Sequence, residues 1–220
     1  MLTCPYTQQA LKFLTTATVL SIENPGAFAT SVSQLIAQSA GEDGPWLLSR
    51  DFSPVGFSTL AQVVPQVCAI PWHNKRLTQA IARQVGQVAA ANLPRAAPLL
   101  QGLQQYGFWL GAQLPCQLQP TGLQTPQELA KALAFAPVPP AGDLASQLAD
   151  YMALCSQLLG TRVFVFFHLK SYLPPSRLLQ LYHQAQCLQL HLLLLEPAAL
   201  PPVSPYEQVY ILDRDLCLIT

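Results

Sequence analysis

Apolar and polar residues follow different patterns at the two ends and in the middle of this chain. Residues 16–22 form a short apolar, β-branched run that stops at residues 23–26, Glu-Asn-Pro-Gly, a sequence typical of a loop. The apolar residues that come next recur at helical spacing: Phe28, Val32, Leu35 and Ile36. The pattern therefore predicts a strand over 16–22 and a helix over 27–38, with shorter strands at 46–48 and within 57–64.

The middle of the chain, residues 71–159, is rich in Ala, Gln and Leu and is predicted to be helical. Asn74 is placed to cap a helix with two different faces. One face carries Leu77, Ile81, Val85 and Val88, and the other carries Arg76, Gln79, Arg83 and Gln87. Further helices are predicted over residues 97–110, 126–135 and 144–159.

The last part returns to alternating strands and helices. The pattern predicts a strand over 162–169, a helix over 175–186, a strand over 190–195 and a hairpin over 209–219. A strand, helix, strand unit with apolar strands indicates a parallel sheet covered on both faces. The predicted fold is an α/β head domain with a mainly parallel sheet, residues 1–70 and 160–220, interrupted by an inserted α-helical leg domain, residues 71–159.

Composition narrows the class of protein. The chain is 51% hydrophobic and 10% charged, yet no uninterrupted apolar run reaches the roughly 20 residues of a membrane span. The first 20 residues lack the features of a secretory signal, so a cytoplasmic protein is expected. The six cysteines are scattered without a C-x-x-C pair, which favours reduced thiols.

The motifs of common enzymes are missing. The loop at residues 23–26 lacks the second Gly and the Lys of a nucleotide-binding P-loop, and the patterns G-x-G-x-x-G and G-x-S-x-G do not occur. The four histidines show no metal-ligand spacing. Cys187 and His183 are the only local nucleophile and base pair, and their apolar neighbours favour packing. We expect no enzymatic activity, and a degenerate P-loop-like nucleotide binder is the weakest alternative.

The C-terminal residues carry a more specific pattern. Residues 192–197 read Leu-Leu-Leu-Leu-Glu-Pro, a Pro-rich loop follows, and residues 210–215 read Tyr-Ile-Leu-Asp-Arg-Asp before a last apolar run. This succession resembles the C-terminal signature of the ring-forming accessory protein of type II-A CRISPR spacer acquisition. Three other segments match the same family: residues 18–23 with Phe28, residues 128–133 and residues 163–167.

The resemblance implies a function. It implies a non-enzymatic homotetrameric ring that binds double-stranded DNA ends, slides on them, and works with the CRISPR integrase subunits and effector nuclease in adaptive antiviral defence. Eleven basic residues balance eleven acidic ones, which is unusual for a nucleic-acid binder. A ring of four copies would present each inward-facing cation four times. The alternative is a protein-interaction scaffold of the acquisition complex that has lost direct DNA binding.

Candidate residues for DNA contact are the basic side chains, because a protein that slides must bind phosphates rather than read bases. The first candidates are Lys75, Arg76 and Arg83. The others are Lys12, Arg95, Lys131, Arg162 and Lys170.

The resemblance also implies calcium near the hinge between head and leg. Calcium takes oxygen ligands, mostly carboxylates. The corresponding stretch, residues 116–122, carries amides where acids are needed, and only Glu128 lies nearby. The sequence therefore predicts weak Ca²⁺ binding or none.

Overall fold

The computed structural model describes residues 1–7, 10–50, 53–116 and 118–219. The chain divides into two compact units. One, here called the sheet unit, consists of Met1–Pro71 and Pro139–Thr220, and the other, the helical unit, consists of Trp72–Val138.

The sheet unit contains both strands and helices, whereas the described part of the helical unit contains helices without strands. The sheet unit begins with β1 (Leu2–Thr3), β2 (Ala10–Leu11), β3 (Ala17–Ile22), α1 (Pro25–Ser39), β4 (Leu47–Arg50), β5 (Ser53–Val55), α2 (Phe57–Leu60) and β6 (Ala61–Val64). The helical unit contains α3 (Lys75–Ala91), α4 (Leu93–Ala112) and α5 (Pro126–Ala132). The sheet unit then continues with α6 (Leu144–Leu159), β7 (Val163–Phe167), α7 (Leu169–Tyr172), α8 (Pro175–Cys187), β8 (His191–Glu196), β9 (Glu207–Leu212) and β10 (Leu218–Ile219).

The main sheet has six strands in the order β10-β9-β3-β8-β7-β6. Its strands are parallel except for the edge strand β10, which pairs antiparallel with β9. Every residue of β3 and β7 is buried, as expected for strands covered on both faces. The predicted α/β class and the mainly parallel sheet are therefore confirmed.

A second sheet was not predicted from the sequence. It is antiparallel, with the order β2-β1-β4-β5, and its strands are only two to four residues long. Such short strands contain too few positions for an alternation of apolar and polar residues to be visible. The strand predicted at 46–48 belongs to this sheet.

Helix boundaries differ from those predicted. The helix expected over 97–110 is the longer α4, which contains Pro98, and the helix expected over 126–135 ends at Ala132. The helix expected over 144–159 is α6, and it lies in the sheet unit rather than with the other middle helices. It packs against α8 and buries Leu148 and Met152, because its apolar face needs a partner.

A buried polar cluster lies inside the sheet unit. The Lys170 Nζ atom lies 2.8 Å from Glu207 Oε2, with side-chain exposures of 4% and 0%. Glu207 also accepts hydrogen bonds from the Tyr182 hydroxyl at 2.7 Å and the Val203 amide at 3.0 Å. The Lys170 amide donates to Glu196 Oε1 at 3.0 Å. The buried ammonium is thus compensated by charge and hydrogen bonds.

Glu196 gives this cluster a predicted pH dependence. Burial raises the pKa of Glu196, partly opposed by the amide and ammonium of Lys170. The folded protein then holds the proton more tightly than the unfolded chain, so this contribution to stability is full below the ordinary carboxyl pKa and is lost as pH rises through the folded pKa. We expect wild type to lose stability relative to Glu196→Gln as pH rises above the ordinary carboxyl pKa, measured by urea unfolding over a pH series. A constant difference across this range would contradict the assignment.

Candidate nucleic-acid interface

Charge is unevenly divided between the two units. The helical unit holds five of the eleven Lys and Arg residues but only one of the eleven Asp and Glu residues. Its net charge is therefore +4, and that of the sheet unit is −4, with histidines neutral. The neutral total conceals a basic unit, which is the charge distribution expected of a surface that meets phosphates.

Two predicted cations of the helical unit line one groove between α3 and α5. Arg83 and Lys131 line a cavity of about 420 Å³, together with Gly86, Gln87 and Gln127. Both cations are exposed, and the described lining of this groove includes no carboxylate. Glu128, next to Gln127 on α5, interacts electrostatically with Lys131, so its carboxylate offsets part of the positive charge of the groove.

Side-chain caps stabilise the first turns of α3 and α5. Asn74 Oδ1 accepts a hydrogen bond from the Leu77 amide at 2.8 Å at the start of α3. Thr125 and Glu128 form a capping box at the start of α5. The buried Leu77 fixes which face of α3 turns inward, and this leaves Arg83 on the accessible side.

The remaining cations of the helical unit lie on the same two helices or at the start of α4. Lys75 is exposed in the first turn of α3, and Arg76 is half-buried seven residues before Arg83, on the same face. Arg95 is exposed in the first turn of α4. The structure thus brings Arg83 and Lys131 together in one groove and places Arg76 on the same face of α3 as Arg83.

The three candidates of the sheet unit differ from these. Lys12 and Arg162 are exposed and line a separate cavity. Lys170 requires a correction, because its ammonium is buried and bound to Glu207 and to the carbonyl of Pro201 at 3.1 Å. A side chain committed to a buried ion pair has no free surface for a phosphate, so Lys170 belongs to the core and not to the interface.

Glu128 does not fit a calcium ligand. Its Oε2 atom accepts hydrogen bonds from the Gln124 amide at 2.7 Å and the Thr125 amide at 3.0 Å. These bonds lower the pKa of Glu128. Within the described residues no three His, Cys, Asp or Glu side chains are grouped as metal ligands. Gln117, in the stretch expected at the hinge, lies outside the described residues. Calcium binding through Glu128 stays a prediction from the resemblance, and the residues present do not fit it.

An exposed apolar surface on α4 was not predicted from the sequence. Large side chains there are between 39% and 60% exposed: Leu93, Leu99, Leu103, Tyr106, Phe108, Trp109 and Leu110. The rings of Tyr106 and Trp109 stack with centroids 5.8 Å apart. Gly107 and Gly111 lie against Pro120 and Leu118, whose positions leave no room for a Cβ atom. The glycine face is therefore covered within the unit, while the aromatic side chains stay exposed.

Two hydrogen bonds of the Asn24 side chain hold the loop after β3 in place. Asn24 Oδ1 accepts from the Ala27 amide at 3.0 Å, and Asn24 Nδ2 donates to the Arg214 carbonyl at 3.0 Å. The cap position of α1 is thus occupied by a side chain where a P-loop would bind phosphate. Over the described residues, no helix combines the length and apolar character needed to cross a membrane.

Comparisons with known proteins agree with the C-terminal pattern. Residues 127–216 match the family model described as CRISPR-associated protein (Cas_Csn2). The crystal structure of Stu0660 of Streptococcus thermophilus is similar, with a TM-score of 0.58 over 96% of this chain and 73% of that chain, at 12% sequence identity. At this identity the likeness shows a shared fold. The search of curated proteins finds no match. The resemblance seen in the sequence is thereby confirmed over residues 127–216, which match the model of the Csn2 family of CRISPR-associated proteins.

Proposed function

We propose that this protein binds ends of double-stranded DNA non-enzymatically, as a homotetrameric ring, during CRISPR spacer acquisition. The charge of +4 on the helical unit carries this proposal. Four copies would bring four such units to one duplex, and the counterions released by their phosphate contacts would drive binding. The neutral whole-chain charge is then no objection.

The arrangement of polar groups supports sliding rather than sequence readout. Arg83 and Lys131 line a groove with two glutamines and without an acid among its described residues. Long, exposed cations bind phosphates of any sequence, because the duplex backbone is uniform. A ring held on DNA by such contacts can load at an end and move along the duplex. Its partners in the proposed pathway are the CRISPR integrase subunits and the effector nuclease.

Exposed apolar side chains of α4 support assembly of several copies: Leu99, Leu103, Tyr106 and Leu110 share one face of the helix, and Trp109 stacks on Tyr106 beside it. An exposed apolar patch this rich in aromatic residues is typical of a surface that meets another protein. In the proposed ring this face contacts a second copy of the chain. The same observation also favours the second candidate function, a scaffold without DNA binding, in which the face would meet a different protein.

Binding of the full chain to DNA tests the proposal. We expect saturable binding to a blunt 30-base-pair duplex, measured by fluorescence anisotropy, and competition by a linearised plasmid but not by the same plasmid as a closed circle. The logarithm of the affinity should fall linearly with the logarithm of salt concentration. Changing Arg83 and Lys131 to Gln should weaken binding and reduce that slope by about one for each phosphate that the protein no longer neutralises.

Arg214→Gln is the matched control. It removes one exposed positive charge from the turn before β10 in the sheet unit. Affinity and salt slope should stay at their wild-type values in this variant. Absence of binding to linear duplex at low salt would reject DNA binding and favour the scaffold.

A further inference from the structure

A separate cavity of about 610 Å³ lies in the sheet unit. It is lined by Arg162 and Val163 where β7 begins and by His191 where β8 begins. These strands are parallel neighbours, so the cavity lies at the end of the main sheet where its parallel strands begin. The loop after β3, where a P-loop would be, lies at the opposite end of the sheet, where the parallel strands finish. Leu14 and Leu60 give the cavity apolar walls.

The charged side chains that line the cavity are positive, whereas the sheet unit as a whole is negative. The sheet unit carries a net charge of −4, yet Lys12 and Arg162 both line the cavity and its described lining includes no carboxylate. The backbone of Arg162 is fixed, because its amide donates to Leu60 at 2.9 Å and its carbonyl accepts from His191 at 2.9 Å. Two cations in a wall without acids form a place for a phosphoryl group.

His191 supplies an aromatic ring to the cavity wall. Its ring stacks on Phe13, with centroids 5.2 Å apart and an interplanar angle of 16°. The ring is hydrogen-bonded to the backbone of Thr15, while Nδ1 is buried and has no hydrogen-bond partner among the described residues. Burial lowers the pKa of His191, so the imidazole is neutral at pH 7. Nδ1 is covered by protein atoms, so His191 contributes its ring, stacked on Phe13, to the cavity wall.

The size and chemistry of the cavity together select one class of ligand. Pockets of about 300 to 1,000 Å³ hold small molecules and are mostly apolar with a few polar groups. We propose that this cavity binds a nucleoside monophosphate group, with the phosphate at Lys12 and Arg162 and the nucleoside near Phe13 and His191. The group could be a free nucleotide or the 5′-terminal nucleotide of a single strand.

Calorimetry on the full chain tests this proposal. The probes are adenosine 5′-monophosphate, adenosine, inorganic phosphate and a 5′-phosphorylated trinucleotide. We expect the monophosphate to bind at least about tenfold more tightly than adenosine or phosphate alone, because only it uses both halves of the cavity. Tighter binding of the trinucleotide would identify a strand end as the source, and equal or weaker binding would identify a free nucleotide.

Variants separate this site from the duplex interface. Lys12→Gln and Arg162→Gln should each weaken monophosphate binding about tenfold or more, and His191→Ser, which removes the ring, should weaken binding of the monophosphate but not of phosphate. Lys12 is exposed, so its variant is expected to fold. The double variant Arg83→Gln/Lys131→Gln should bind the monophosphate normally even where it no longer binds DNA. The proposal is overturned if the monophosphate shows no saturable binding at millimolar concentration, or if Lys12→Gln and Arg162→Gln both bind it as wild type does.

Discussion

Replacing Glu207 with Leu is expected to lower the free energy of unfolding by about 3–5 kcal/mol. The substitution leaves the Lys170 ammonium buried without the carboxylate that it contacts, although the Pro201 carbonyl still accepts its hydrogen bond and Glu196 interacts with it electrostatically. It also removes the acceptor of the Tyr182 hydroxyl and the Val203 amide. Urea unfolding followed by circular dichroism measures the decrease.

Two further variants separate the effect of charge from that of shape. Glu207→Gln keeps an acceptor near Tyr182 but removes the charge, so its stability should fall between those of wild type and Glu207→Leu. The double variant Lys170→Met/Glu207→Leu removes both charges and should recover part of the stability, because a buried ion pair can often be replaced by apolar side chains. A decrease below about 1 kcal/mol in Glu207→Leu would contradict a buried, compensated ion pair.

Changing Tyr106 and Trp109 to Ser is expected to convert the proposed tetramer into smaller species. Both side chains are 57% exposed and stack on each other, so they can enter an interface without repacking of the unit. Buried aromatic residues at interfaces contribute about 2 kcal/mol or more each to binding. The loss of one such residue therefore raises the dissociation constant about thirtyfold. Light scattering coupled to size exclusion measures the mass across a concentration series.

Tyr172→Ser provides the matched control for this change. Tyr172 is 53% exposed and lies in α7 of the sheet unit. Its replacement should leave the mass unchanged. If wild type and the Tyr106/Trp109 variant have the same mass at every concentration, α4 does not hold the copies together. Anisotropy on the same variant would then show whether DNA binding needs assembly.

The strands of the main sheet could be predicted because they are continuous apolar runs. The expected strands at 16–22, 162–169 and 190–195 correspond to β3, β7 and β8 with small shifts at their ends. The antiparallel sheet escaped prediction, since a strand of two residues such as β1 has no period to detect. Its existence depends on pairing with distant residues, and local sequence does not encode that.

The candidate interface was predictable only in part. Basic side chains could be named from the sequence, but their burial could not, and Lys170 proved to be paired with a carboxylate 37 positions away. The segregation of charge was present in the sequence and hidden by the zero total. It becomes visible once the limits of the helical unit are known. The exposed aromatic face of α4 was hidden in the same way, because helical spacing alone does not show which face is covered.

The strand order also bears on how the protein is made. Strand β3 lies near the start of the chain, yet both its neighbours, β8 and β9, come from residues 191–212. During synthesis β3 therefore cannot pair with its neighbours in the main sheet until those residues have left the ribosome, and its apolar residues stay unpaired until then. Pairings between residues this distant in sequence slow folding, and the exposed strand is prone to aggregation in the meantime. The helices of Trp72–Val138, whose contacts are local, can form during that delay.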